Sequence, residues 1–153
     1  MNSIDEPPLD LDRFCRDLVA AAPDAIIYAD REGAIRVWNR GAERIFGYAA
    51  EEALGASLDI IIPERLRARH WTGYDETLKT GRTRYGAGDL LAVPAVRKDG
   101  TAISVEFTIV PMTDEAGRLK GIAAILRDVT QRFNEMKELR KRAAAAASSP
   151  KDR

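Results

Sequence analysis

Thr101-Ala-Ile-Ser-Val-Glu-Phe-Thr-Ile-Val-Pro-Met112 alternates polar and apolar residues, with Ile103, Val105, Phe107 and Ile109 falling on one face. A period of two describes a strand with one buried side and one wet side, and therefore a sheet covered on a single face. Asp99-Gly100 ahead of it is turn chemistry, and Arg84 to Val96 reads as the preceding strand. Asp114-Glu-Ala-Gly117 makes the next turn and leads into Leu119 to Val129, rich in Ile, Leu and Val. Toward the amino terminus, Ala25 to Ala29 and Ile35 to Trp38 flank Asp30-Arg-Glu-Gly33, a hairpin-turn sequence. Between these two strands and the later three lie short helical stretches. Asn39 caps the first and Gly47 ends it, while Glu51, Glu52 and Ala53 form another closed by Gly55. Two strands, several small helices and three strands describe an α+β domain: one antiparallel sheet with helices on one face.

The longest intervening helix opens at Pro63 and carries Glu-Arg-Leu-Arg-Ala-Arg-His-Trp-Thr-Gly-Tyr74. On a helical period Leu66, His70 and Tyr74 share a face continued by Thr77 and Leu78, whereas Arg65, Arg69 and Glu76 point elsewhere. His70 is the only histidine of the chain and is expected to point inward. A neutral imidazole there is suited to bind iron near neutral pH. The plainer reading is a core histidine making one hydrogen bond. Trp71, about 100° further round the helix, either walls a cofactor edge or is a packed aromatic.

Composition narrows the function. The 153 residues contain 24 basic and 24 acidic side chains, so no overall field favours nucleic acid, an anionic membrane or an acidic substrate. Cys15 is the single cysteine, which excludes an internal disulfide and a multi-cysteine zinc site. Residues 1–8 are acidic and lack the basic start and apolar core of a secretory signal. The most apolar stretches, Leu18 to Ala29 and Gly121 to Leu126, are too short or too interrupted to span a bilayer. A soluble cytoplasmic protein is expected. No nucleophile motif or acid–base pair is visible, so an enzyme is not. Gly86-Ala-Gly88 lacks the third glycine and the following helix of a dinucleotide site. Lys137 to Arg142 reads as a solvated basic helix end, without the aromatic partners of a nucleic-acid surface.

The ends are helical. Leu11, Phe14, Leu18 and Ala22 mark an amphipathic helix ending before Pro23, and Phe133 and Met136 continue a stripe begun at Val129. The organisation expected is an acidic arm and flanking helix over 1–19, a core domain over 20–130, and a short helix with a disordered tail over 131–153.

The ordered set Pro23-Asp-Ala-Ile-Ile, Asp30-Arg-Glu-Gly, Trp38-Asn39, Ala42-Glu43, Phe46-Gly47-Tyr48, Glu52-Ala-Leu-Gly55, Arg97-Lys-Asp-Gly100 and Arg127-Asp-Val-Thr130 resembles the PAS domain family. The resemblance runs from about Ala20 to Thr130. It implies a five-stranded antiparallel sheet whose inner face and helices enclose a ligand pocket or a packed core, and a sensor or interaction module. Within that family, Pro63 to His70 followed by Tyr74 is similar to the haem-ligating helix of oxygen-sensing histidine kinases from nitrogen-fixing bacteria. By that similarity His70 is the ligand of haem b, and Phe107 and Ile109 match the apolar sheet positions on the gas side. Leu66, Trp71, Tyr74 and Leu91 complete the expected surround.

The similarity is incomplete. The arginine that contacts bound oxygen in that family falls here on Asp89 or Leu91, and its second histidine, which holds a propionate, has no counterpart. Without such a donor an oxygen complex would be weaker or oxidise faster, whereas CO or NO would suffer less. Arg67, Arg69, Arg82 and Arg84 are candidates for the propionates, because guanidinium pairs with carboxylate in bidentate fashion. The expectation is a PAS sensor of a diatomic gas (CO, NO or O2) or of redox state, signalling to a separate protein and forming a homodimer. Two alternatives stand beside it. One is a metal-free module dimerising through Leu11, Phe14 and Leu18 and the exposed sheet; the other is a sensor of an apolar metabolite or flavin in the same pocket.

Overall fold

The computed structural model describes residues 6–82, 88 and 90–148. Helix α1 (Leu11–Ala21) leads into strands β1 (Ala25–Asp30) and β2 (Ile35–Trp38). Helices α2 (Arg40–Phe46) and α3 (Ala50–Ala53), a 3-10 turn (Leu58–Ile61) and helix α4 (Glu64–Thr80) follow. Strands β3 (Leu91–Val96), β4 (Ala102–Thr113) and β5 (Leu119–Asp128) and helix α5 (Thr130–Ser148) complete the chain. The five strands form one antiparallel sheet in the order β2-β1-β5-β4-β3, the α+β architecture expected.

Period-two alternation translates directly into one buried face. Phe107 pairs with Leu126 and Ile109 with Ala124; across β5, Leu126 faces Ala25 and Ala124 faces Ile27. Leu91, Val93 and Ala95 extend the same face opposite Phe107, Val105 and Ile103. Onto one end of this face α2 and α3 press Ala42, Ile45, Phe46 and Ala53, all buried with Ile27, Ile35 and Trp38.

Asn39 explains why α2 sits there. Its side-chain oxygen accepts from Ala42 N (2.9 Å), the expected cap, and also from Ile26 N (2.8 Å). Its amide donates to the carbonyls of Val19 (2.9 Å) and Asp24 (3.0 Å). One buried side chain thus joins the end of α1, the start of β1 and the start of α2. Gly41 permits the approach, since a Cβ there would lie 2.1 Å from the Asp24 carbonyl oxygen.

Of the strand expected from Arg84 to Val96, β3 covers Leu91–Val96, after a turn in which Gly88 takes φ 82°; residues 83–87 and 89 lie outside the described residues. The expected carboxy-terminal helix runs through Ala143 to Ala147, strong helix formers, to Ser148. The tail expected beyond it, and residues 1–5 of the arm, are outside the described residues. Helix α1 has no fully buried residue, and Leu11, Phe14 and Leu18 stay exposed. No helix among the described residues is long and apolar enough to cross a membrane.

Candidate functional site

Helix α4 owes its ends to simple chemistry. Pro63 precedes its first turn, Glu64 and Lys79 complement the helix dipole, and Gly81 closes it in the left-handed conformation at φ 69°. Its inward face is the one expected. Leu66 and His70 are half-buried, Tyr74 and Thr77 are buried, and Arg65, Arg69 and Glu76 are exposed.

Three aromatic rings meet on this helix. The imidazole of His70 stands edge-on to Trp71 at 4.7 Å between centroids and tilted against Tyr74 at 5.8 Å. Tyr74 reaches the sheet, its hydroxyl donating to the carbonyls of Ala29 (3.0 Å) and Asp30 at the end of β1. Burial pushes its phenol pKa well above the ordinary value, so it stays a donor. Trp71 turns toward the β1–β2 hairpin, where its indole lies over Gly33 and its Nε1–H donates to Asp59 Oδ1 at 2.7 Å.

His70 Nδ1 is the one buried side-chain polar atom without a hydrogen-bond partner among the described residues. Burial lowers the pKa of the imidazole below 6.5, with the charge of Asp59 partly opposing the shift. The ring is therefore neutral at physiological pH, the form that coordinates a metal. No group of three or more His, Cys, Asp or Glu is gathered among the described residues, so a bare ion finds no protein cage there. A metal carried in its own macrocycle needs only one protein ligand.

Part of the inner sheet face is incompletely covered. Leu91, Phe107 and Ile109 remain half-buried and Val93 is 40% exposed, whereas Ala95, Ile103 and Val105 on the same two strands are buried. An apolar planar group with one coordinating imidazole requires residues of these types. The expected propionate partners do not gather as a set. Arg67 is engaged locally, donating to the carbonyls of Ile62 (3.1 Å) and Asp59 (3.2 Å). Arg69 and Arg82 are exposed, and Arg84 lies outside the described residues. Two open hollows, of about 320 Å³ beside Arg31, Leu78 and Gly117 and about 410 Å³ beside Phe46 and Arg97, lie away from His70.

Sequence reasoning missed Asp59. Ser57 and Asp59 mark a local turn, and Ser57 Oγ does accept from Asp59 N, but nothing local signals that the carboxylate reaches an indole twelve residues on.

The comparisons agree with this architecture. A family model described as PAS fold matches residues 19–133. An uncharacterized protein of Azorhizobium caulinodans is 33% identical over 125 residues, 81% of this chain and 17% of its own length. The sensor protein FixL of Bradyrhizobium diazoefficiens is 31% identical over 116 residues, 76% of this chain and 22% of its own. The chain thus spans about a fifth of the curated relatives it matches. The crystal structure of a PAS domain from Colwellia psychrerythraea superposes with a TM-score of 0.69 at 23% identity, covering 80% of this chain and 99% of that one. Sheet order, helix placement and the match over 19–133 lead to one conclusion: the chain belongs to the PAS family.

Proposed function

We propose that this PAS domain is a sensor that binds haem b through His70 and responds to a diatomic gas or to the redox state of the iron. The observation that carries the proposal is a neutral imidazole with an unpartnered buried nitrogen, set on a helix that meets β5, in a domain whose inner sheet face is incompletely covered. A buried polar atom left without a partner costs about 1–3 kcal/mol, so the imidazole is retained for something other than a hydrogen bond within the fold. His70 would hold the group, and Leu66, Phe107, Ile109 and Leu91 would supply apolar contact; Arg69 and Arg84 are the arginines proposed for its carboxylates. Haem, when bound, supplies an iron able to take a gas or change oxidation state.

The paired inner-face residues of β3, β4 and β5 here are Leu91, Val93, Phe107, Ile109, Ile122 and Ala124, none of them a hydrogen-bond donor through its side chain. CO and NO tolerate such a wall better than O2, whose complex with ferrous iron gains negative charge. The output is to a downstream signalling partner. The test is the absorption spectrum of protein supplied with haem, before and after reduction and CO. A Soret band that shifts with CO and disappears in His70→Ala supports the assignment; haem bound by that variant with an unchanged spectrum ends it.

A second reading is favoured by α1, whose Leu11, Phe14 and Leu18 are 62%, 46% and 55% exposed along one stripe. A helix carrying an unburied apolar face acquires a partner. We propose a homodimer through this face and the outer sheet, with or without cofactor. Phe14→Glu should convert dimer to monomer in light scattering at tens of micromolar, and a wild-type monomer under those conditions removes this reading.

A further inference from the structure

A metal-binding imidazole ordinarily has its second nitrogen held by a carboxylate, carbonyl or water, which fixes the plane of the ring. Nδ1 of His70 has no such hydrogen bond. What bounds its ring is aromatic: Trp71 at 4.7 Å and 82°, Tyr74 at 5.8 Å and 35°, with 5.3 Å between those two rings. Each neighbour is itself tied at its far end. The Tyr74 hydroxyl is held by carbonyls of β1, and the Trp71 indole by Asp59 at 2.7 Å. Asp59 is placed in turn by its own backbone, since its N–H donates to Ser57 Oγ and its carbonyl accepts from Arg67.

We infer that Asp59 and Trp71 are positioning residues for His70: the carboxylate holds the indole, and the indole holds the imidazole where a hydrogen bond would ordinarily do so. The functional weight of this arrangement rests on the reading of His70 as a ligand-binding residue. The positioning itself is a property of the protein without cofactor. It also ties the site to the β1–β2 turn, because the indole fills the space where a Gly33 Cβ would stand 2.1 Å from Trp71 Cη2. Packed contacts of this kind are stiff, so a swing of the imidazole is felt at Gly33.

The single histidine makes the test direct, because its ring protons form one isolated set of magnetic-resonance signals. In the full chain without haem, at a pH well above 6.5 where the imidazole is neutral, Asp59→Asn keeps a carbonyl acceptor and leaves those signals at their wild-type positions. Asp59→Ala and Trp71→Phe, which break the indole hydrogen bond from either side, move them toward free-imidazole values. Amide exchange at Gly33 to Ile35 should quicken about tenfold in Asp59→Ala, the response expected when local opening becomes easier. Unchanged His70 signals in both Asp59→Ala and Trp71→Phe overturn the inference; should Asp59→Ala fail to fold, Trp71→Phe decides alone. Haem titration of the same samples separates the two ideas. Absence of a Soret band in wild type removes the cofactor and leaves the positioning result standing, whereas haem that binds should be held about 10–100-fold less tightly in Asp59→Ala.

Discussion

The inner face of the sheet is finished at one end and unfinished at the other. Beneath α2 and α3, Phe46, Ile35 and Val105 are entirely enclosed and Asn39 has satisfied both polar atoms of its amide. Along β3 and the second half of β4, Phe107 and Ile109 are only half-buried and Val93 is exposed, and on α4 His70 keeps an unpartnered nitrogen. The closed end draws on β1, β2 and the first half of β4 and the open end on β3 and the second half of β4, all with the same alternation, so the contrast comes from what covers each end. The first end supplies stability and the second retains uncommitted groups, a division expected wherever a stable scaffold also carries a site.

Substitutions should divide along the same line. Phe46→Ala removes a fully enclosed ring and should cost about 3–5 kcal/mol in denaturant unfolding. Gly41→Ala should cost about 1–3 kcal/mol at the same end, by forcing a methyl against the Asp24 carbonyl. Phe107→Ala, at the open end, should cost less than Phe46→Ala, about 2 kcal/mol, because its ring is only partly buried against the core. A Phe107→Ala loss equal to that of Phe46→Ala would mean the two ends are equally packed and would break the contrast.

His70→Ala should change stability least at neutral pH, since it removes an atom that makes no hydrogen bond. Its signature is in the pH profile. The folded imidazole titrates below the ordinary 6.5, so the unfolded chain binds the proton more readily. Stability from this group is complete above 6.5 and is lost as pH falls through the lower, folded value. Chemical denaturation between pH 7.5 and 5 should show that decline in wild type and a smaller one in His70→Ala; identical slopes would show that His70 is not buried in the neutral form. The Asp24–Arg127 pair, with side chains 31% and 70% exposed, sharpens the acid end: Asp24→Asn should cost less than about 1 kcal/mol at pH 7. That contribution is present above 3.8 and disappears as pH falls below it, because Arg127 holds the Asp24 carboxyl below its usual range.

What could be read from the chain were the features encoded over a few neighbouring residues. Ile103, Val105, Phe107 and Ile109 declared their common face, Asn39 and Gly47 declared the ends of α2, and Leu66, His70 and Tyr74 declared the inward side of α4. Each depends only on backbone period or on a side chain bonding its own turn, so local sequence determines it. What only the tertiary structure decided were meetings across long separations: Tyr74 with the end of β1, Asn39 with Val19, Trp71 with Asp59 and Gly33. These depend on where whole helices dock, which is set by the summed packing of the sheet face and by no single motif. Arg67 illustrates the difference. Its charge and spacing suggested a carboxylate partner, yet docking of the 3-10 turn brought two backbone carbonyls within its reach.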